Sequence, residues 1–548
     1  MTILAAALAV LSAYAAQPVP RIIPQPQSYE PAKGACKLSG IIVNCDPAIG
    51  EKAVRMVSIF ADQLTMVSGK TCTVATPVGL AATAAKGAAK GMNFIPDASL
   101  APEAYTLSVI KGSVVVKASD YNGFFYAVQT MKQMLPAAIY GSKPAPEEKW
   151  VLPCCEIKDA PRFAYRGMHL DCCRHFFSVA EVKKYLDVMA MYKLNRFHWH
   201  LSEDQGWRIE IKKYPLLTEV GGFREGTQIG YDRDSNDGVR YGGYYTQDQI
   251  RDIIGYADER GITIVPEIDL PGHMLAALTA YPELGCAGSA PYKVWTRWGV
   301  SKQVLCVGKE RTMKFLEDVL CEVAELFPGE YIHIGGDECP KDEWKKDPDC
   351  QAKIRELGLT SDKNASAEAR LQNYVTARMQ SFLATKGKKI IGWDEILEGE
   401  LAEGATVMSW RGTKGGIKAA GAGYDVIMTP NTYCYFDYAQ SADLKSEPLS
   451  ITKDPKRAVS IEKIYNYEPF DELTELAQKH LLGVQANLWT EYIGSDEYLE
   501  YMLLPRMLAL SEVQWCPQGT KDFTRFMDAV RTKHYPVFEL LGYNYKKY

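Results

Sequence analysis

No apolar run in this sequence is long enough to cross a bilayer, no block of lysine or arginine occurs, and no two cysteines stand in Cys-x-x-Cys spacing. The first absence speaks against a membrane anchor, because a spanning helix needs about 20 consecutive apolar residues. The second removes the electrostatic footing for a nucleic-acid or anionic-membrane partner, and the formal net charge of −5 agrees. The third removes the commonest thiolate spacing for a metal. Charged residues make up only 24% of the chain, and 47% is apolar, which argues against disorder. At 548 residues the chain is too long for one ordinary domain and predicts two or three.

The opening Ala/Leu-rich stretch is too short to span a membrane, and Ala13-Tyr14-Ala15 fits a small-x-small cleavage site. Residues 1–15 are therefore expected to be a secretory signal peptide, although the usual positive n-region is missing, and the protein is expected to be periplasmic or extracellular. No cysteine near that site suggests a lipid anchor. Of the fourteen cysteines, the adjacent pairs Cys154-Cys155 and Cys172-Cys173 lie in strand-like runs and read as reduced core residues. Cys286 and Cys306 flank one loop, Cys339 and Cys350 another, and these four are disulfide candidates.

Residues 18–155 read as a small α+β accessory domain. Tyr105–Ile110 and Ser113–Lys117, joined at Lys111-Gly112, predict a β-hairpin, and Gly123–Leu135 has helical spacing. Few polar clusters here bear chemistry, so a packing role is expected. From 160 to 548 short apolar runs alternate with amphipathic segments. Strands are predicted at Tyr165–Leu170, Asn195–Leu201, Thr263–Ile268, Tyr331–Gly335, Lys389–Trp393, Ala405–Trp410, Asp425–Thr429 and Gly483–Leu488. Helices are predicted after Ser178 and Thr246, each with a capping box completed by Glu181 and Gln249, and over Arg311–Phe327, Ser366–Thr385 and Asp496–Ser511. Eight such repeats predict an α/β fold of the (β/α)8 barrel type, enlarged by insertions such as 212–245.

Nearly every predicted strand ends in polar or aromatic residues, among them Arg174, Glu203, His273, Asp337, Glu338, Trp393, Trp410, Tyr435, Asp437, Trp489 and Glu491. Barrel sites form at the C-terminal ends of the strands, so these residues are expected at one mouth. Carboxylates, an arginine and tryptophans around one pocket describe a sugar site, where aromatic faces stack on pyranose rings and charged groups take hydroxyls. His333-Ile-Gly-Gly-Asp337-Glu338 is the most informative stretch. Two glycines permit a tight turn, and two neighbouring acids disfavour joint ionisation, which raises one pKa and leaves a proton donor beside a leaving oxygen.

That stretch resembles the signature of glycoside hydrolase family 20, the β-N-acetylhexosaminidases. The similarity continues through Tyr165-Arg-Gly-Met-His-Leu-Asp171, Arg174-His175-Phe176, His198-Trp-His200, Asp204-Gln-Gly-Trp207-Arg208, Pro266-Glu-Ile-Asp-Leu-Pro-Gly-His273, Gly392-Trp-Asp-Glu395 and Leu488-Trp-Thr-Glu491. The resemblance implies exo-acting, retaining release of terminal β-linked GlcNAc or GalNAc by substrate-assisted catalysis, in which the sugar's 2-acetamido oxygen forms an oxazoline-type intermediate. It implies Glu338 as general acid and base, Asp337 orienting the acetamide N–H and Tyr435 holding its oxygen, with neither metal nor cofactor required. Trp393, Trp410 and Trp489 would wall the sugar, Arg174, Asp437 and Glu491 would bind its hydroxyls, and His273 with Glu203 would stand behind Glu338 as a relay. The family pattern often has Asp where Glu203 stands, which leaves Glu203 and Asp204 both open as the partner of His273. Competing readings are a non-catalytic carbohydrate-binding protein, a zinc hydrolase on His198, His200 and His273, and a specialised enzyme releasing a disaccharide or a sulfated sugar.

Overall fold

The computed structural model describes residues 21–80, 83, 90–399, 401 and 403–548, so the expected signal peptide lies outside the described residues. Eight parallel strands close into a barrel and are numbered here in chain order. They are β1 (Tyr165–Asp171), β2 (Arg196–His200), β3 (Thr263–Glu267), β4 (Tyr331–His333), β5 (Lys389–Trp393), β6 (Thr406–Ser409), β7 (Val426–Met428) and β8 (Leu481–Ala486). Every one overlaps a predicted run, β8 starting two residues ahead of its run. The core-facing apolar positions that made those runs also give the barrel its packed interior.

Register concentrates the polar residues. Asp171 pairs with His200, His200 with Glu267, and Glu267 with His333, so four neighbouring strands end on one polar layer. The turn after β4 needs both glycines: Gly335 and Gly336 have φ of 62° and 98°, and a Cβ on Gly335 would stand 1.7 Å from Asp269 Oδ1.

The barrel helices follow the sequence signals, with two differences. Thr246 and Gln249 form the full capping box, whereas Ser178 accepts from the Glu181 N–H without a return bond from the Glu181 side chain. The predicted helix over Asp496–Ser511 is two helices, Asp496–Leu503 and Arg506–Trp515, because Pro505 interrupts the hydrogen-bond ladder.

Ahead of the barrel lies a seven-stranded mixed sheet carrying the helices Glu51–Ser68 and Tyr121–Met134. The hairpin is present, with Ile110 paired to Ser113 across Gly112 at φ 80°. This sheet docks at the start of the barrel strands. Arg166 of β1 donates to Glu103 at 2.7 Å, and the buried pair Lys193–Asp159 closes at 2.9 Å. Both contacts lie at the end of the barrel opposite the polar layer.

Candidate active site

Beyond β4 the chain turns at the two glycines and presents Asp337 and Glu338. Asp337 is buried, while the Glu338 side chain keeps 43% exposure. Glu338 and His273 both adopt left-handed backbone, at φ 45° and 52°. Non-glycine residues hold that conformation at a cost of about 1–3 kcal/mol, and here it turns both side chains toward one point. His273 Nε2 lies 3.8 Å from Asp337 and 3.7 Å from Glu338. Its Nδ1 meets Glu203 at 2.6 Å, against 3.7 Å to Asp204, so Glu203 is the partner. Asp204 instead accepts the backbone N–H groups of Leu275 and Ser301 and clamps the loops beside it.

Electrostatics divide the acid pair in an unexpected way. Burial raises the Asp337 pKa, Glu338 adds to the rise, and His273 opposes it. Burial also lifts Asp269 well above the carboxylate range, with the charge of Asp337 adding to the rise. Glu338 is held below its ordinary value, chiefly by the positively charged His273 ring 3.7 Å away. Burial disfavours charge on His273, but Glu203, Glu338 and Asp337 together keep it protonated. Adjacency of two acids therefore raises Asp337, and the cation next to Glu338 reverses the expectation for that residue. Asp337 Oδ1 is buried with no hydrogen-bond partner.

The predicted binding residues form a continuous wall. Arg174 bonds Asp171 at 3.1 Å and Glu203 at 3.0 Å, with its guanidinium 5.1 Å from the Trp489 ring. Trp489 and Trp393 rings lie 5.9 Å apart, and Trp410 stacks on Tyr435 at 6.1 Å and 22°. A parallel backbone bridge between Tyr435 and Asn487 ties Tyr435 to the chain that leads to Trp489. Burial pushes Asp437 well above the carboxylate range and Glu491 charge adds to the effect, and Asp437 Oδ1 also lacks a partner. Burial raises Glu491 as well, against the pull of Arg174.

Sequence reasoning gave no role to Glu267, Asp269 or Glu395. Glu267 is a buried hub that meets His200 at 2.5 Å, His198 at 2.9 Å, His333 at 3.1 Å and the Trp393 N–H at 2.8 Å. Its signal was the histidine alternation on β2, which the zinc reading used differently. His198 and His200 close on this glutamate, while His273 faces Glu203 and the acid pair. Glu395 is pushed up to about 9 by burial, with Asp337 and Asp394 adding to it, and accepts from Trp410 at 2.9 Å.

The disulfide expectation is corrected: all fourteen cysteines are free. Cys306 and Cys350, assigned to different loops, meet each other with their sulfurs 3.6 Å apart, too far for the S–S bond of about 2.05 Å. Cys339 instead packs against Gly272 beside the acid pair.

Residues 163–518 match the family model for the glycosyl hydrolase family 20 catalytic domain, and residues 19–160 match the model for domain 2 of that family. The chain belongs to glycosyl hydrolase family 20. Among family relatives, a beta-hexosaminidase of Porphyromonas gingivalis is 48% identical over 78% of this chain and 52% of its own. A beta-N-acetylhexosaminidase of Cellulomonas fimi is 31% identical over 96% of this chain and 95% of its own. A solved exo beta-N-acetylglucosaminidase of Vibrio harveyi, in complex with N-acetylglucosamine, superposes with a TM-score of 0.82 at 32% identity over 96% of this chain and 78% of that one. The aligned chain thus spans about half of the Porphyromonas protein.

Proposed function

We propose that the protein is an exo-acting, retaining β-N-acetylhexosaminidase that removes terminal non-reducing β-linked GlcNAc or GalNAc from oligosaccharides or glycoconjugates. The observation that carries this reading is the buried, unpartnered Asp337 oxygen beside the His273–Glu338 pair, inside a wall of tryptophans. A buried acceptor left without a donor is costly, and an acetamide N–H supplies the missing hydrogen bond.

In this mechanism Asp337 accepts the acetamide N–H and aims the acetamide oxygen at the anomeric carbon. That oxygen attacks as Glu338 protonates the departing glycosidic oxygen, giving the oxazoline-type intermediate. Glu338 then takes a proton from the water that attacks the same carbon, the ring reopens and the configuration is retained. Tyr435 holds the acetamide oxygen, Trp393, Trp410 and Trp489 enclose the sugar, and Arg174, Asp437 and Glu491 take its hydroxyls. Glu203 keeps His273 charged and oriented behind Glu338. A sugar seated over the half-exposed Glu338 removes water from it and raises its pKa toward the acid form. Residues 18–155 serve as an accessory packing domain and 160–548 as the catalytic barrel.

Export through residues 1–15 to the periplasm or exterior is part of the same proposal; among the described residues no helix is long and apolar enough to cross a membrane. The test is release of chromophore from an aryl N-acetyl-β-glucosaminide by the intact protein and by Glu338→Gln. Turnover that depends on Glu338 supports the reading; binding without turnover by the intact protein overturns it.

A further inference from the structure

Away from the sugar pocket, four potential ligands converge in the core. Cys286, Cys306, Asp347 and Cys350 are all buried, and one ligand atom from each lies within 4.8 Å of every other. Cys306 Sγ is 3.6 Å from Cys350 Sγ and 3.1 Å from Asp347 Oδ1. A tetrahedral zinc with bonds of about 2.3 Å to sulfur spaces its sulfurs by about 3.8 Å, close to the first distance. A disulfide would need about 2.05 Å, and any one disulfide among three thiols leaves the third buried beside a carboxylate.

The surrounding backbone holds the four in place. Asp347 caps the helix Pro348–Glu356 and accepts the Cys350 N–H at 2.9 Å, while its other oxygen accepts the Ala287 N–H at 2.8 Å. An antiparallel bridge between Gly285 and Leu305 joins the two segments that carry Cys286 and Cys306. Gly308 presses against the helix start so closely that a Cβ there would stand 2.2 Å from the Asp349 carbonyl carbon. Among the described residues no lysine, arginine or histidine pairs with Asp347; the Ala287 and Cys350 N–H groups and the Cys306 thiol meet its carboxylate. Burying an anion is unfavourable unless a cation or full hydrogen bonding compensates it.

We propose that Cys286, Cys306, Asp347 and Cys350 bind one zinc ion in a closed structural site. The ligands are three thiolates and one carboxylate oxygen, so each thiol gives up its proton to solvent as the ion binds. The absence of Cys-x-x-Cys spacing hid the site, because the ligands come from two different barrel loops. One loop follows β3 and carries His273; the other follows β4 and carries Glu338. Trp344 ties them together a second time, donating to the Leu305 carbonyl at 2.8 Å. The ion would thus brace the two loops that bring the histidine to the acid, without touching substrate.

The test uses the full-length protein purified without chelator. Elemental analysis should find about one zinc per chain, and Cys306→Ser or Asp347→Ala should lose it. Exchange of the intact protein into cobalt(II) should give thiolate-to-metal charge-transfer absorption, which keeps the test open if the variants fail to fold. Chelation should lower the thermal midpoint by several degrees and make Cys286, Cys306 and Cys350 available to alkylation. Metal-free protein that takes up neither zinc nor cobalt would overturn the proposal, and so would peptide mapping that finds a disulfide between any two of the three cysteines.

Discussion

Glu338 has a short list of neighbours, and each makes a different demand on it. His273 stabilises its charged form, while the exposed side of the carboxyl keeps it solvated until a ligand covers it. Replacing Glu338 with Gln removes the transferable proton but keeps the shape, so kcat should fall by about 10²–10⁴-fold with product affinity retained, as measured by steady-state kinetics and calorimetry. In the proposed mechanism His273 acts through Glu338 rather than on the sugar. His273→Gln withdraws the positive charge that depresses the Glu338 pKa, so the alkaline limb of the kcat/KM–pH profile should move to higher pH. An alkaline limb that stays in place in this variant would show that His273 has only a packing role.

At the scale of single elements, the turn between β4 and the acid pair is the critical piece. Gly335→Ala must place a methyl group against Asp269, the buried acid whose charge Asp337 opposes. Loss of on the order of 2–4 kcal/mol of stability is expected by denaturant titration, together with loss of activity. This turn was readable from the sequence because the glycines, the acids and the preceding apolar run each demand the same geometry. The strands were readable for a related reason: each is a short buried run that stops at polar residues. What escaped was what depends on neighbours distant in sequence. Glu267 looks like an ordinary strand end until β2, β4 and β5 bring three histidines and an indole to it. The Cys306–Cys350 contact likewise joins two loops that sequence spacing assigns to separate pairs. Pro505 carried a readable break signal, and helical periodicity on both sides masked it.

Across the whole molecule, the accessory sheet grips the barrel at the end away from the sugar pocket. Glu103 is central to that grip: burial disfavours its charge, but Arg166 and Asn195 outweigh burial and draw its pKa down to about 2 from an ordinary 4.5. A depressed carboxylate pKa contributes stability that is fully present above the unfolded value and vanishes as pH falls through the folded one. Stability should therefore decline between about pH 4.5 and 2, by on the order of 3 kcal/mol from this group, and Glu103→Gln should flatten that part of the profile in urea unfolding. Unchanged slopes in the variant would place the acid sensitivity elsewhere.

In the proposed mechanism the pocket at the other end aims an amide. Its most direct test compares kcat/KM for two aryl β-glycosides that differ only in the 2-acetamido group, on the intact enzyme and on Asp337→Asn. Loss of the acetamido group should cost the intact enzyme at least about 10³-fold, and Asp337→Asn should surrender most of that advantage. Comparable rates on both glycosides, or an Asp337→Asn variant as fast as the intact enzyme, would contradict substrate-assisted catalysis here.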